Sequence, residues 1–325
     1  VQALYIFGDS LVDVGNNNYL PMSILRGDYP FNGIDFPGKK PTGRFSNGKN
    51  AADFVAEKLN VPPPPPYLSR RNDAFQRGVS FASGGAGIMN TTNAVVGQNI
   101  PLVKQFWYFN GVRQRKATAL GSESAARDHF ANSIFLFVVG SNDLLNFDGG
   151  KNSSSDPYIS LMVSNLKNIL KDIHGLGARK FLIVGTPPVG CTPRQRSHFA
   201  GAECNGQLNS MCEKFNGELG QALAQLSTEL ADFRYSYFDT YRVLLEMIQS
   251  AAAYGFLETK SACCGLGKLR AEIPCTPVSL LCANRTDHVF WDIYHPTEAA
   301  ARAAVDELFN GSTPYATPIS VQELI

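Results

Sequence analysis

Nothing in this 325-residue chain approaches the run of roughly 20 apolar residues that a membrane-spanning helix needs. Neither sign of charge dominates. Lys and Arg number 29 against 28 Asp and Glu, a formal net charge of +1. That balance removes the electrostatic case for nucleic acid or an anionic membrane surface as a partner. There is no C-x-x-C pair, so a zinc or thiol-redox reading is weak. No repeat recurs and no linker divides the chain, which therefore reads as one domain over residues 1–325. No charged leader precedes the first strand pattern, and the chain reads as a mature, processed one.

What is present is an ordinary globular composition, 44% apolar and 18% charged, enough for a substantial core. All seven cysteines lie in the C-terminal half: Cys191, Cys204, Cys212, Cys263, Cys264, Cys275 and Cys282. Their clustering suits local disulfides, with one thiol left over. Glycosylation sequons stand at Asn90, Asn152, Asn284 and Asn310. With the cysteines they point to the secretory pathway and a secreted, extracellular protein.

An apolar run at Leu4–Phe7 and the segments Gly78–Ala82, Ser133–Val139, Lys180–Val184 and Arg234–Phe238 read as strands. Helical spacing appears over Asn50–Leu59, from Asp156, over Asn205–Leu230 and over Pro296–Leu308. Asp156 is expected to cap its helix, and Pro296 to begin the final one. Gly33–Gly48 reads as loop. Pro62–Pro66 reads as a polyproline II link, with a docking segment as the alternative. Strands alternating with helices imply a mostly parallel sheet covered on both faces. Ligands of such sheets bind beyond the carboxyl ends of the strands.

Three strand ends carry small or polar groups: Gly8-Asp9-Ser10, Ser83-Gly84-Gly85 and Gly140-Ser141-Asn142-Asp143. A serine hydroxyl needs a base before it can act as a nucleophile. Of the five histidines, His174 stands beside a helix stop, and His129 and His198 sit in polar surroundings. His288 follows Asp287, but neighbours on an extended segment point apart. His295 follows Asp292 by three residues, a spacing that one tight turn can close. The carboxylate would then fix the imidazole tautomer and stabilise its cation. Attack on an ester generates an oxyanion that needs waiting donors. The Ser10 N–H, at the start of an expected helix, a glycine N–H after the second strand, and the Asn142 amide can supply them. Each has a plainer reading as a turn or cap residue.

These residues resemble the GDSL esterase/lipase family of the SGNH hydrolases, in its plant branch. The matching blocks are Phe7–Asn18, Phe81–Ile88, Gly140–Asp143 and Phe290–Pro296, with Thr42–Gly48, Gly185–Cys191 and Ala262–Gly265 as further matches. The G-x-S-x-G nucleophile turn is absent. The resemblance implies a flavodoxin-like three-layer α/β/α sandwich with about five parallel strands. It implies Ser10 as nucleophile, His295 as base and Asp292 as its partner. Ser10, Gly85 and Asn142 would form the oxyanion hole, with Gly84 the alternative to Gly85. It also implies a Cys191–Cys204 bridge, two bridges joining Cys263 and Cys264 to Cys275 and Cys282 in some order, and Cys212 as a buried free thiol. No cofactor or metal is implied. The expected partner of this monomer is a small-molecule ester.

Three readings compete: hydrolysis through an acyl-Ser10 intermediate, transfer of that acyl group to an alcohol, and a non-catalytic secreted binding protein on the same fold. Phe31, Phe36, Phe45, Trp107 and Tyr108 are candidates for an acyl pocket, or else core. No long apolar lid is evident.

Overall fold

The computed structural model describes residues 1–69, 72–148, 154–311 and 314–325. In chain order it places β1 (Leu4–Gly8), α1 (Ala51–Lys58), β2 (Gly78–Ser80), α2 (Leu102–Leu120), α3 (Glu123–Ala131) and β3 (Ile134–Val138). Next come α4 (Ser141–Leu145), α5 (Asp156–Gly175), β4 (Lys180–Val184), α6 (Pro193–Ser197), α7 (Gly206–Glu229) and β5 (Arg234–Phe238). The C-terminal part adds α8 (Thr240–Gln249), β6 (Glu258–Ala262), β7 (Cys264–Gly265), β8 (Leu280–Leu281) and β9 (His288–Phe290). It ends with α9 (Glu298–Phe309), β10 (Ala316–Pro318) and α10 (Val321–Leu324).

One sheet of six strands runs β10-β5-β4-β3-β1-β2. Five strands are parallel, and β10 adds to β5 antiparallel. The three-layer α/β/α sandwich is thus the fold, with a sixth edge strand beyond the expected five. Residues 316–318 are too few to show a period of two, which hid that strand in the sequence.

Alternation along the strands sorts the two faces. Tyr5, Phe7, Phe135, Phe137, Phe181 and Ile183 point to one side, under α2, α3, α5 and α7. Leu4, Ile6, Ile134, Leu136, Val138 and Leu182 point to the other, under α1, α8, α9 and α10. One face is therefore aromatic and the other aliphatic. Parallel register pairs Phe7 with Phe137, whose rings stack at 4.7 Å, and Tyr5 with Phe135 at 5.1 Å. Such pairs add about 0.5–1.5 kcal/mol each beyond the area they bury.

Several local expectations are corrected. No helix follows Ser10; Val12 N–H closes a turn on the Asp9 carbonyl, and the next helical turn is Asn16–Tyr19. Asp156 does not cap α5. Ser155 precedes the helix without a side-chain cap, and Asp156 pairs with Lys214. Pro296 does not open α9. Pro296 bridges to Phe290, and Thr297 caps the helix by accepting from the Ala300 N–H. Nor is α9 the last helix, since α10 follows it. Disulfides join Cys191 to Cys204, Cys263 to Cys282 and Cys264 to Cys275, and Cys212 is a buried free thiol. The sequon residues Asn90 and Asn284 are exposed, while Asn152 lies outside the described residues.

Candidate active site

Between β1 and β3 the chain's direction of progress across the sheet reverses, because β2 lies beyond β1 and β4 beyond β3. Carboxyl ends at such a point leave a crevice. Gly8, at the end of β1, lies so close to β3 that a Cβ there would sit 2.3 Å from the Val138 carbonyl oxygen. Glycine is the residue that permits this approach. Asp9 and Ser10 then turn out over the sheet edge. Gln105 on α2 makes three buried hydrogen bonds, two of which hold this turn. Its Oε1 accepts the Gly8 N–H at 2.8 Å, and its Nε2 donates to the Gly8 and Ile100 carbonyls, each at 2.8 Å.

The segment after β9 brings the distant end of the chain to Ser10. Trp291 N–H bonds the His295 carbonyl at 2.8 Å, closing a tight loop. The Trp291 side chain is buried among the Cys263–Cys282 and Cys264–Cys275 bridges, its indole N–H on Asn32 Oδ1 at 2.8 Å. Asp292 Oδ1 accepts the Tyr294 and His295 N–H groups at 2.9 and 2.8 Å. The same carboxylate meets His295 Nδ1 with both oxygens, at 2.8 and 2.9 Å. On the far side of the ring, His295 Nε2 stands 2.7 Å from Ser10 Oγ. Phe45 stacks on the imidazole with ring centroids 4.9 Å apart.

Burial disfavours the charged form of His295, but the Asp292 carboxylate, its hydrogen bond and the more distant Asp9 outweigh it. The imidazole is held above its ordinary 6.5. Asp292 shows the reciprocal effect. Burial would raise it, yet the attraction of His295 and three hydrogen bonds keep it below the usual carboxylate range. Asp9 lacks a comparable partner, and burial pushes it up to about 7 against the Leu11 N–H and His295.

The expected donors surround the same space. Ser10, Gly85, Asn142 and His295 all line one cavity of about 410 Å³. Gly84 N–H is taken by Asp13 Oδ2 at 2.9 Å. Among the described residues, neither the Gly85 N–H nor the Ser10 N–H meets a protein acceptor. Asn142 Nδ2 donates one bond to the Ala86 carbonyl at 3.0 Å, and an amide nitrogen carries a second hydrogen. Asp143 anchors the adjoining loop by accepting from Ile88 N, Met89 N and Thr92 Oγ1.

The other histidines lie elsewhere. Asp287 bonds His288 Nδ1 at 2.6 Å, contrary to the expectation that these neighbours point apart. Asp287 precedes β9 in a bend, where the alternation of an extended strand does not hold. His129 is not in polar surroundings. It bonds the Tyr5 hydroxyl at 3.0 Å against Phe130, and burial lowers it to about 4. His174 reaches the Ala231 carbonyl rather than its own helix end. Of the five aromatic candidates, Phe45 lines the cavity. Phe31 packs with Trp291, Phe36 lies under Arg44, Tyr108 stacks on Tyr67, and Trp107 is exposed.

Sequence reasoning missed the residues that brace these turns. Asp13 Oδ1 accepts the Gly15 and Asn16 N–H groups, while its Oδ2 ties to Gly84. Asn16 donates to the Ser80 and Ala82 carbonyls, and Asn17 to the Gly84 carbonyl. These lie inside a motif already singled out, so their presence was visible and their task was not. Gln105 carries no local signal at all.

The model of the GDSL-like lipase/acylhydrolase family matches residues 4–308. GDSL esterase/lipase At5g55050 of Arabidopsis thaliana is 47% identical over 340 aligned positions, covering 100% of this chain and 90% of the relative. GDSL esterase/lipase At5g37690 of the same plant is 37% identical, covering 97% of this chain and 90% of the relative. Among solved structures, an extracellular lipase from Streptomyces rimosus is similar at 13% identity and a TM-score of 0.38, covering 94% of this chain and 99% of that one.

Proposed function

Because the chain belongs to the GDSL-like lipase/acylhydrolase family, we propose that it is a carboxylic ester hydrolase working through an acyl-Ser10 intermediate. The observation that carries this reading is the continuous line from Asp292 through His295 to Ser10 Oγ, with the last gap 2.7 Å. His295 Nε2 takes the hydroxyl proton as Ser10 Oγ attacks the ester carbonyl carbon. Asp292 holds the ring with Nδ1 protonated and stabilises the imidazolium. The developing oxyanion is met by the Ser10 and Gly85 N–H groups, which have no protein acceptor among the described residues, and by the second hydrogen of Asn142 Nδ2. Collapse expels the alcohol, which receives the proton from His295. Water, deprotonated by His295, then attacks the acyl carbon, and Ser10 recovers its proton.

Gly85 is favoured over Gly84 as the donor because the Gly84 N–H is occupied by Asp13. The mostly apolar walls of the cavity keep a second reading open, transfer of the acyl group to an alcohol in place of water. Incubation with an acyl donor and candidate alcohols separates the two by the ratio of new ester to free acid. The three disulfides and the exposed Asn90 and Asn284 support a secreted glycoprotein. A sheet that takes strands from residue 4 to residue 318 supports a single domain.

Ser10→Ala tests the central claim. It should abolish hydrolysis of p-nitrophenyl acetate and labelling by a fluorophosphonate, with the melting temperature kept within a few degrees. A folded Ser10→Ala protein that still turned over the ester would refute it.

A further inference from the structure

The Thr42–Gly48 segment supplies neither nucleophile, base nor oxyanion donor, yet polar side chains tie it to three other parts of the chain. Arg44 grips Asp53 on α1 with Nε and Nη2, each at 2.7 Å, in a buried ion pair. Asn47 Oδ1 accepts the Glu298 N–H at the start of α9 at 2.8 Å, and Glu298 Oε2 accepts the Lys49 N–H at 3.1 Å. Asn47 Nδ2 donates to Asp35 Oδ2 at 2.9 Å, and Asp35 pairs with Arg285 ahead of β9.

Between these anchors stands Phe45, half-buried. Its ring lies over the face of the His295 imidazole, with centroids 4.9 Å apart and planes inclined by 29°. It also presses on Gly84, where a Cβ would stand 2.5 Å from Phe45 Cζ. The two hydrogen bonds of His295 run along one axis, from Asp292 through Nδ1 and from Nε2 to Ser10 Oγ. Tilt of the ring about that axis is restrained by neither bond. A ring stacked on the face does restrain it.

The face of an aromatic ring carries partial negative charge and attracts a cation within about 6 Å of its centroid. In the proposed reaction His295 is neutral before attack and positive once it holds the Ser10 proton. The attraction therefore strengthens as the transition state forms, the condition for an interaction to speed the step.

We propose that Phe45 is a positioning residue for His295, that its ring also stabilises the imidazolium, and that the anchored 42–48 turn holds the ring in place. The inference rests on the ester hydrolase reading and adds a residue to it. The other groups around the imidazole are Asp292 on its own loop and Asp9 after β1, with Asp143 of α4 acting on Asp9. Arg44, next to Phe45, is engaged by Asp53, and Arg194 of α6 faces Tyr294.

The sign of one measurement separates this role from simple packing. A ring that only covers His295 keeps water from the cation, so its loss would raise the histidine pKa. A ring that attracts the cation does the reverse. Phe45→Leu keeps apolar bulk and removes the aromatic face. In the full-length protein with p-nitrophenyl acetate, the midpoint of the acid limb of kcat/KM should move down by about half a unit to one unit, and the plateau kcat should fall about three- to tenfold. Trifluorophenylalanine at position 45 keeps the shape of the ring, weakens its negative face and should move the midpoint the same way. It also serves if the leucine variant fails to fold. The shift is read without turnover by NMR titration of the His295 Cε1–H in Ser10→Ala protein with and without Phe45→Leu, its signal assigned by absence from a His295→Gln variant. A midpoint that stays or rises overturns the proposal even where kcat falls, because the ring is then only a cover. A downward NMR shift in a protein whose wild type hydrolyses no ester sustains the ring contact and overturns the hydrolase reading alone.

Discussion

His295 shows how individual residues set the proposed chemistry. A base must be neutral to accept the Ser10 proton, so activity is lost as pH falls through its pKa. Asp292 and Asp9 outweigh the effect of burial and hold that pKa above 6.5. The acid limb of kcat/KM should therefore have its midpoint above 6.5, and a profile flat from pH 5 to 8 would exclude a histidine base. Asp292→Asn removes the largest stabiliser of the imidazolium. The midpoint should move downward in this variant, while kcat falls on the order of 10³–10⁴-fold because the ring loses its fixed tautomer. An unchanged midpoint would mean that the Asp292 charge does not act on His295. The Asp-x-x-His spacing was legible in the chain. What it could not disclose was that Asp292 also accepts two backbone N–H groups, which fix the carboxylate before it meets the ring.

Helix α2 matters at the level of elements for one side chain. Gln105 satisfies both backbone groups of Gly8, inside the protein and out of reach of water. Replacing it with leucine leaves the Gly8 N–H and the Ile100 carbonyl without their partner, at about 1–3 kcal/mol each, while the Gly8 carbonyl keeps the Ser83 N–H. Gln105→Leu should lower the melting temperature by roughly 3–9 °C. Turnover should also fall, since the turn carrying Ser10 loses its clamp. A calorimetric scan that matched the wild type would show the clamp to be dispensable. No sequence pattern marks this residue, because the contact joins positions 97 apart along the chain. Strands β3 and β4 were legible because each is a largely apolar run bounded by turn residues. The start of α9 was misplaced by two residues for a related reason. Proline is compatible with a helix start, but Thr297 is the better cap, with a hydroxyl that reaches the Ala300 N–H.

Across the whole molecule, the proposed site joins residues 10, 85, 142 and 292–295, and its alignment depends on how the C-terminal segment is held. Two bridges wrap Trp291, the neighbour of Asp292. The third, Cys191–Cys204, flanks α6, where Arg194 N–H bonds the Ile293 carbonyl at 3.1 Å. Each closes a short loop, spanning 11 to 19 residues, worth about 3 kcal/mol by chain entropy. Reduction with dithiothreitol should therefore lower the melting temperature. Below that temperature it should also reduce ester turnover while leaving the far-UV circular dichroism of the sheet and helices in place. Full activity in a protein with every thiol titratable would show that the bridges do not position Asp292 and His295.

The chain by itself determined the five parallel strands, the helices α1, α5, α7 and α9, and the reacting groups. Apolar periodicity is a local property, and a serine, a histidine and a carboxylate are chemistry wherever they lie. Tertiary structure decided which of five histidines meets Ser10, and which glycine N–H stays unpaired. Those outcomes depend on distances between segments far apart in the chain, and a local pattern contains no distance of that kind.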